Sequence, residues 1–136
     1  MVKIQITYQG GLHTEAVHGP SGAKIETDAP KDNQGKGETF SPTDLLATSL
    51  GSCMMTIMGI VSTRHGIALE GSTVEVIKEM VQEPVRKVGK LTVSFKLPKN
   101  LDEKQRGLLE RAAMTCPVHQ SLHPDIQIPV TFNYTL

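Results

Sequence analysis

The chain has no tryptophan, few other aromatic residues and no excess of charge of either sign. Fourteen basic residues balance fourteen acidic ones without forming a basic cluster, which argues against a nucleic-acid partner. Two cysteines, 63 positions apart, are too few for a disulfide framework and favour a cytoplasmic protein whose thiols serve chemistry or packing. The first ten residues have a strand pattern, not that of a signal peptide. The composition predicts one domain, residues 1–136, with an aliphatic core.

The longest predicted element is a helix over residues 42–65. Ser41 supplies a cap, Pro42 fits the first helical position, and Asp44 stands three residues after the cap, as in a capping box. Gly66 then provides a C-terminal stop. The boundaries of this helix are therefore the clearest in the chain.

The middle of this helix, from Leu45 to Val61, carries no charge. A membrane span is disfavoured, because the uncharged run is shorter than the ~20 residues that a bilayer requires and includes several hydroxyl side chains. A helix that is apolar on every side is expected to be buried on every side. Gly51 and Gly59 each weaken the helix, so we expect another backbone to approach closely at both positions.

The remaining segments predict an α+β fold. Apolar and polar residues alternate with the period of a strand at residues 2–8, 90–97 and 126–134, and further strands are expected at residues 12–18, 23–27 and 72–81. Asn100 is the expected cap of a second helix, a short third helix is expected to end near Leu122, and Pro129 suggests that the last strand lies at a sheet edge. We expect antiparallel sheets around the long helix, and a homodimer, since one small chain cannot cover that helix.

The two cysteines have contrasting local environments. Cys116 precedes Pro117 at the start of the short helix, where free backbone N–H groups lower the pKa of a thiol. For a lone cysteine, packing as a small buried hydrophobe is nevertheless the favoured interpretation. Cys53 lies mid-helix among apolar residues, so it belongs to the core unless the fold brings a cation or a second thiol to it.

Two separated motifs together resemble the OsmC/Ohr family, the osmotically induced protein C and organic hydroperoxide resistance proteins. One consists of SPTDLL at residues 41–46 followed by LGSC at residues 50–53, which ends in Cys53. The other is AMTCPV at residues 113–118, which contains Cys116. The resemblance covers nearly the whole chain and is closest to the YhfA-like branch.

This resemblance implies an OsmC-like fold and an intertwined homodimer with two active sites at the subunit interface. It further implies that Cys53 attacks an organic hydroperoxide and becomes a sulfenic acid, and that Cys116 resolves this acid as a disulfide. A dithiol such as a lipoyl group would then reduce the pair. No bound cofactor, metal, nucleic acid or membrane is implied.

The activating residues of the family's peroxidases are missing here. Where those proteins have a glutamate, ten residues before the first cysteine, this chain has Thr43, and it has no arginine before Arg64. Lysine supplies charge but not the bidentate fork of arginine. Lys36, Glu38 and Arg86 are possible replacements among which the sequence does not choose, so we expect slow hydroperoxide reduction.

Two functions of other classes remain as alternatives. Cys116, His119 and His123 would share one face of a continuous helix, and such ligands suit Zn²⁺, although two surface histidines are the favoured interpretation. The protein could also bind a small apolar or thiol ligand without catalysis. His13, His18 and His65 are interpreted as surface or strand-end residues without an assigned role.

Overall fold

The computed structural model describes all 136 residues, which form two compact units, Met1–Leu46 and Ala47–Leu136. The first unit holds three strands and a 3-10 turn, Lys31–Asn33. The long helix α1 starts in the first unit and continues into the second. In chain order the elements are β1 (Ile4–Gly10), β2 (His13–His18), β3 (Lys24–Asp28), α1 (Pro42–Arg64), β4 (Thr73–Val81), β5 (Lys87–Leu97), α2 (Glu103–Met114), α3 (Pro117–Ser121) and β6 (Val130–Tyr134).

The first unit is an antiparallel meander in the order β1-β2-β3. A turn between β1 and β2 is present as the sequence predicts, but it is formed by Gly11 and Leu12, while Gly10 is the last residue of β1; all three have positive φ. Ala16 pairs with Ile6 on one side and Ile25 on the other, so the three side chains form an apolar row across one face of the sheet. Ile6 is 65% exposed and Ile25 is 53% exposed, so this face is largely uncovered in the single chain.

A buried carboxylate anchors the loop that follows β3. His13 and Asp28 are register partners, and His13 Nδ1 lies 2.5 Å from Asp28 Oδ1, while His13 Nε2 lies 3.4 Å from Glu26 Oε1. The other oxygen of Asp28 accepts a hydrogen bond from the Glu38 N–H at 3.0 Å, and the Asp28 N–H donates to the Phe40 carbonyl at 3.1 Å. Both ends of the loop over residues 28–40 are thus tied together. His13, for which the sequence suggested no role, is part of this anchor.

The second unit contains a sheet in the order β4-β5-β6. β4 and β5 are antiparallel, but β5 and β6 are parallel, which departs from the expected all-antiparallel pairing. A parallel pair requires a crossover connection, and α2 and α3 supply it. β6 is an edge strand, as Pro129 suggested.

The core of the second unit is the aliphatic core that the sequence predicts. Alternate residues of β5 are fully buried, and Phe95 stacks on Phe132 of β6 with ring centroids 5.1 Å apart. These inward residues of β5 are Leu91, Val93, Phe95 and Leu97. Met54 and Met58 of α1 and Leu109 of α2 are also fully buried.

Helix α1 is buried along one stripe only, so the expectation of burial on every side is wrong for the single chain. The buried residues of α1 recur at helical spacing: Ala47, Leu50, Gly51, Met54, Met58 and Ser62. By contrast, Ile60 is 44% exposed. α1 is long and apolar enough to cross a membrane, a property that core helices of soluble proteins share, and a third of its most apolar window, 33%, is buried.

The two glycines of α1 differ in their surroundings. A Cβ atom on Gly51 would lie 2.9 Å from Val76 Cγ2 of β4, so the close approach is to a side chain and not to a backbone. A Cβ on Gly59 would meet nothing within 4 Å. The prediction that another backbone approaches these glycines is therefore wrong for Gly51, and within this chain no backbone approaches Gly59 either.

The predicted N-terminal cap is confirmed for α1 but not for α2. At α1 the Asp44 N–H donates to Ser41 Oγ at 3.1 Å, and the Ser41 N–H donates to Asp44 Oδ2 at 2.8 Å, so the predicted capping box is confirmed. At α2 the cap is Asp102, not Asn100, and it forms a capping box with Gln105. The last strand is also shorter than predicted, because Pro129 has no N–H to continue the ladder.

Candidate active site

Cys53 lies near the middle of α1, inside the second unit. Its neighbours Leu50 and Met54 on the same helix are fully buried, while Cys53 itself is only partly buried. Mid-helix backbone N–H groups are already bonded to carbonyls four residues earlier, so the helix offers no free N–H donor to this sulfur. The Cys53 side chain therefore depends on its neighbours in the fold for any polar partner.

Cys116 caps α3, as the sequence predicts. The His119 N–H donates to Cys116 Sγ at 3.2 Å, and Pro117 follows at the first helical position. Unlike Cys53, Cys116 is 0% exposed. It is the fully buried member of the pair and the one that has a backbone donor.

The fold brings the two thiols together although 63 residues separate them in sequence. The Cys53 side chain lies close enough to Cys116 to raise the pKa of the Cys116 thiol, and neither cysteine is in a disulfide. This places a second thiol beside Cys53, which is the condition under which a mid-helix cysteine gains a chemical role. What the pair can do chemically is form a disulfide, the product of a sulfenic acid and a nearby thiol.

Burial raises the pKa of the Cys116 thiol above its ordinary value. The N–H of His119 acts in the opposite direction, whereas the hydrogen bond to Cys53 and the charge of a Cys53 thiolate raise the pKa of Cys116 further. The expectation that the helix cap lowers the pKa of Cys116 is thus wrong in its net direction, because desolvation outweighs the cap. Burial thus favours the protonated form of Cys116.

Several hydrogen bonds fix the corner between α2 and α3 that carries Cys116. The Cys116 N–H donates to the Ala113 carbonyl at 3.3 Å, and the Gln120 N–H donates to the Cys116 carbonyl at 3.1 Å. The Gln120 side chain also reaches back, with Nε2 donating to the Met114 carbonyl at 3.1 Å. Sequence reasoning missed Gln120, and the only available signal was its place four residues after the cap of a very short helix.

The structure places the possible replacements for the missing activating arginine and glutamate in the loop before α1 and just before β5. Thr43, ten residues before Cys53, shares a hydrogen bond with Ser41 Oγ at 3.2 Å. Lys36 and Glu38 are exposed in the loop before α1, and Arg86 is partly buried just before β5. These placements select no single activating residue.

The zinc hypothesis receives no support from the placement of its ligands. α3 ends at Ser121, so His123 is not on its helical face, and His123 Nδ1 accepts a hydrogen bond from the Asp125 N–H at 3.1 Å. The structure contains no group of three or more His, Cys, Asp or Glu side chains suited to a metal ion. Of the remaining histidines of unassigned role, His18 shares a hydrogen bond with Ser21 at 2.6 Å.

Comparison with known proteins gives a consistent result. The family model described as OsmC-like protein matches residues 35–131. A protein of Psychrobacter arcticus 273-4, described as a candidate osmotic stress induced and detoxification response protein, has 48% identity and a TM-score of 0.92, with 98% of this chain and 96% of that chain covered. None of the curated proteins matches this chain.

More distant solved structures share the fold. The OsmC-like protein of Mycoplasma pneumoniae has 15% identity and a TM-score of 0.82, and the organic hydroperoxide resistance protein OsmC of Legionella pneumophila has 18% identity and a TM-score of 0.74. Each alignment covers 98% of this chain and 96% of the other. Since the family model spans well over half of the sequence, and the Psychrobacter protein is so similar over nearly its full length, the chain belongs to the OsmC-like family.

Proposed function

We propose that this protein reduces organic hydroperoxides, with Cys53 as the peroxidatic residue and Cys116 as the resolving residue. The observation that carries the proposal is the proximity of a partly buried cysteine, Cys53, to a fully buried one, Cys116, whose pKa it raises. The description of the Legionella relative as an organic hydroperoxide resistance protein supports the same class of substrate. The setting that fits this chemistry is a cytoplasmic enzyme of oxidative stress defence.

The proposed reaction has two half-cycles. The Cys53 thiolate attacks one peroxide oxygen, the O–O bond breaks, and the alcohol leaves after taking up a proton, so that Cys53 becomes a sulfenic acid. Cys116 then attacks the Cys53 sulfur, water leaves, and a disulfide forms. A dithiol such as a lipoyl group returns two electrons and restores both thiols.

In this cycle the charge on Cys53 affects the protonation of the Cys116 thiol. While Cys53 is a thiolate, the hydrogen bond to it and its charge favour the protonated form of Cys116. Oxidation to the neutral sulfenic acid removes that charge, leaving the His119 N–H to favour the Cys116 thiolate against the cost of burial. The resolving thiol thus becomes more reactive when its target is present.

We expect the first step to be slow. Thr43 replaces the glutamate of the family's peroxidases, and no arginine precedes Arg64 to stabilise a thiolate at Cys53. Because the thiolate is the nucleophile, the rate of cumene hydroperoxide consumption should rise with pH. A fast rate that does not change with pH would indicate an activating cation.

The test compares the wild type with Cys53→Ser and Cys116→Ser. Cys53→Ser should consume no hydroperoxide, and Cys116→Ser should convert Cys53 to sulfinic acid without turnover, as peptide mapping can detect. Peroxide consumption by Cys53→Ser at the wild-type rate would refute the assignment. If the wild type neither consumes peroxide nor forms the disulfide, the alternative of a non-catalytic binding protein is favoured.

We also propose that residues 1–136 act as one domain within a homodimer. The apolar row of β1, β2 and β3 is largely exposed, and α1 is buried along one stripe only, so a second copy would cover surface that one chain leaves open. Sedimentation at micromolar concentration should give twice the monomer mass.

A matched pair of variants tests the proposed dimer. Ile6→Lys places a charge on the exposed apolar face of β1 and should shift the equilibrium toward monomer, whereas Gln5→Lys places the same charge on the opposite face and should not. A folded wild-type monomer, or equal effects of the two lysines, would refute the proposed interface.

A further inference from the structure

Asp28 joins the two ends of the loop over residues 28–40. The Asp28 N–H donates to the Phe40 carbonyl at 3.1 Å, and one oxygen of its carboxylate accepts a hydrogen bond from the Glu38 N–H at 3.0 Å. The other oxygen lies 2.5 Å from His13 Nδ1, and the Asp28 side chain is only 5% exposed. The start and the end of the loop therefore meet at a buried carboxylate.

The His13 ring lies between two carboxylates of the neighbouring strand β3. Its Nδ1 contacts Asp28, and its Nε2 lies 3.4 Å from Glu26 Oε1, so both ring nitrogens face acidic oxygens. An imidazole can donate from both nitrogens only when it is protonated. The arrangement is therefore satisfied in full by the imidazolium form and by neither neutral tautomer.

The other groups around His13 leave this preference in place. On the same face of β2, Glu15 pairs across the sheet with Glu26 and forms an ion pair with Lys24 at 3.5 Å. On the β1 side, the register partner of His13 is the uncharged Gly10. The charged side chains of the loop are exposed to solvent: Lys31, Asp32, Lys36 and Glu38. The two carboxylates of β3 are thus the charges that lie against the imidazole.

Protonation of His13 and closure of the loop are consequently linked. The hydrogen bond to Asp28 raises the pKa of His13 above its ordinary value of 6.5, and the same bond lowers the pKa of Asp28. The bond therefore stabilises the closed loop in full below the ordinary pKa of the imidazole, and this stabilisation is lost as the pH rises through the raised pKa of His13. Once His13 is neutral, Asp28 remains a carboxylate without a facing cation, which burial disfavours.

We propose that His13 and Asp28 form a pH-dependent latch, in which protonated His13 holds the loop over residues 28–40 closed and loss of that proton lets the base of the loop open. The loop ends directly before Ser41, whose side chain caps α1, so the latch controls the mobility of the segment that leads into this helix. Neither cysteine takes part, so the latch does not depend on the proposed peroxidase function.

Amide hydrogen exchange of the intact protein at several pH values tests the latch. The Glu38 N–H is protected while it donates to Asp28, so its exchange rate, corrected for the intrinsic effect of pH, reports the open fraction of the loop. Between about pH 5.5 and about pH 8.5 this fraction should rise at least about threefold, and by about tenfold for each unit by which the pKa of His13 is raised. The pKa of His13, measured from its ring-proton shifts in the same samples, fixes the expected factor.

Two further amides separate local opening from unfolding of the sheet. The Gly37 N–H, which donates to the Ala29 carbonyl across the base of the loop, should follow Glu38, whereas the Ala16 N–H in the middle of β2 should not. An open fraction that rises less than about threefold would overturn the latch. So would equal changes at Glu38 and Ala16, because the whole sheet would then be responding.

A matched pair of variants identifies the group that titrates. His13→Gln removes the titration but keeps an amide that can donate to Asp28, so its open fraction should not change with pH. His18 ends the same strand and shares a hydrogen bond with Ser21, so His18→Gln should keep the wild-type response. A response that survives His13→Gln, or one that disappears in His18→Gln, would assign the titration to another group and refute the latch.

Glu26→Gln tests the same latch in a protein that retains both His13 and Asp28, and it serves if His13→Gln folds poorly. It removes the charge that lies 3.4 Å from His13 Nε2, so it should lower the pKa of His13 and shift the rise in the open fraction to lower pH by the same amount. A pKa of His13 that falls while exchange at Glu38 stays unchanged would show that this histidine does not control the loop.

Discussion

Replacing Gly51 by alanine sets two opposing effects against each other in the helix that carries Cys53. Alanine in a helix interior is favoured over glycine by about 1 kcal/mol. The added Cβ would, however, lie 2.9 Å from Val76 Cγ2, well inside the ~3.5 to 4.0 Å of a normal carbon contact. Valine has few χ1 rotamers with which to move away, so α1 or β4 must shift, at about 1 to 3 kcal/mol. The net expectation for Gly51→Ala is a loss of about 0 to 2 kcal/mol.

Gly59→Ala is the matched control on the same helix. Its Cβ would meet nothing within 4 Å, so only the propensity gain of about 1 kcal/mol should appear. The difference between the two variants removes the propensity contribution and leaves the contact with Val76, about 1 to 3 kcal/mol. A shift of α1 would also move Cys53 relative to Cys116, so Gly51→Ala should slow disulfide formation and Gly59→Ala should not.

Urea unfolding followed by far-ultraviolet circular dichroism, at one protein concentration for all variants, measures the free energies of unfolding. Gly51→Ala as stable as Gly59→Ala would refute the packing of α1 against Val76. A Gly59→Ala variant that loses stability as well would show that a surface outside this chain covers Gly59.

Two further predictions concern hydrogen bonds away from the cysteines. The hydrogen bond to Asp28 raises the pKa of His13, and the same bond lowers the pKa of Asp28, so the pair stabilises the fold above the ordinary pKa of the carboxyl and below that of the imidazole. The stability lost in His13→Gln should therefore be greatest near about pH 5 and shrink toward about pH 9, and a loss that is constant with pH would contradict the pairing. Tyr134→Phe removes the hydroxyl that donates to Glu110 at 2.7 Å and should lower the free energy of unfolding by about 1 to 2 kcal/mol, with no change if the bond contributes nothing.

The sequence predicted those elements whose boundaries depend on interactions between residues close together in the chain. Ser41 and Asp44 mark the start of α1 through hydrogen bonds within four residues, and the alternation in β5 places its apolar residues inward without reference to the rest of the chain. The position of Cys116 at a helix cap is of the same kind, because Pro117 alone indicates it.

What the sequence did not predict depends on partners distant in the chain. No local feature of the sequence shows whether β6 pairs in parallel or antiparallel with its neighbour. The cap of α2 was ambiguous, because Asn100 and Asp102 each have a suitable residue three positions later, and the structure uses Asp102. The hydrogen bond between His13 and Asp28 was within reach, since the turn between β2 and β3 fixes them as register partners.

The candidate site shows the same division. The family motifs pointed to Cys53 and Cys116, and local chemistry gave the cap of Cys116, but the net direction of its pKa shift follows from complete burial, which only the packed fold determines. The stripe of burial on α1 could not be predicted either, because a helix that is apolar all round does not reveal which of its sides its own chain covers.

The parallel pairing of β5 and β6 has a consequence for the newly made chain. Cys116 lies in the crossover between these strands, so it is synthesised after α1 and before β6, the last strand. Cys53 precedes Cys116 by 63 residues, a delay of about 3 to 13 s at about 5 to 20 residues per second. Under the proposed mechanism, a sulfenic acid formed on Cys53 during that interval has no Cys116 thiol to resolve it and proceeds to sulfinic acid, which is irreversible. The proposal therefore predicts that protection of Cys53 against overoxidation begins only after Cys116 has been made, and peptide mapping after oxidant pulses during and after synthesis would measure the difference as sulfinic Cys53.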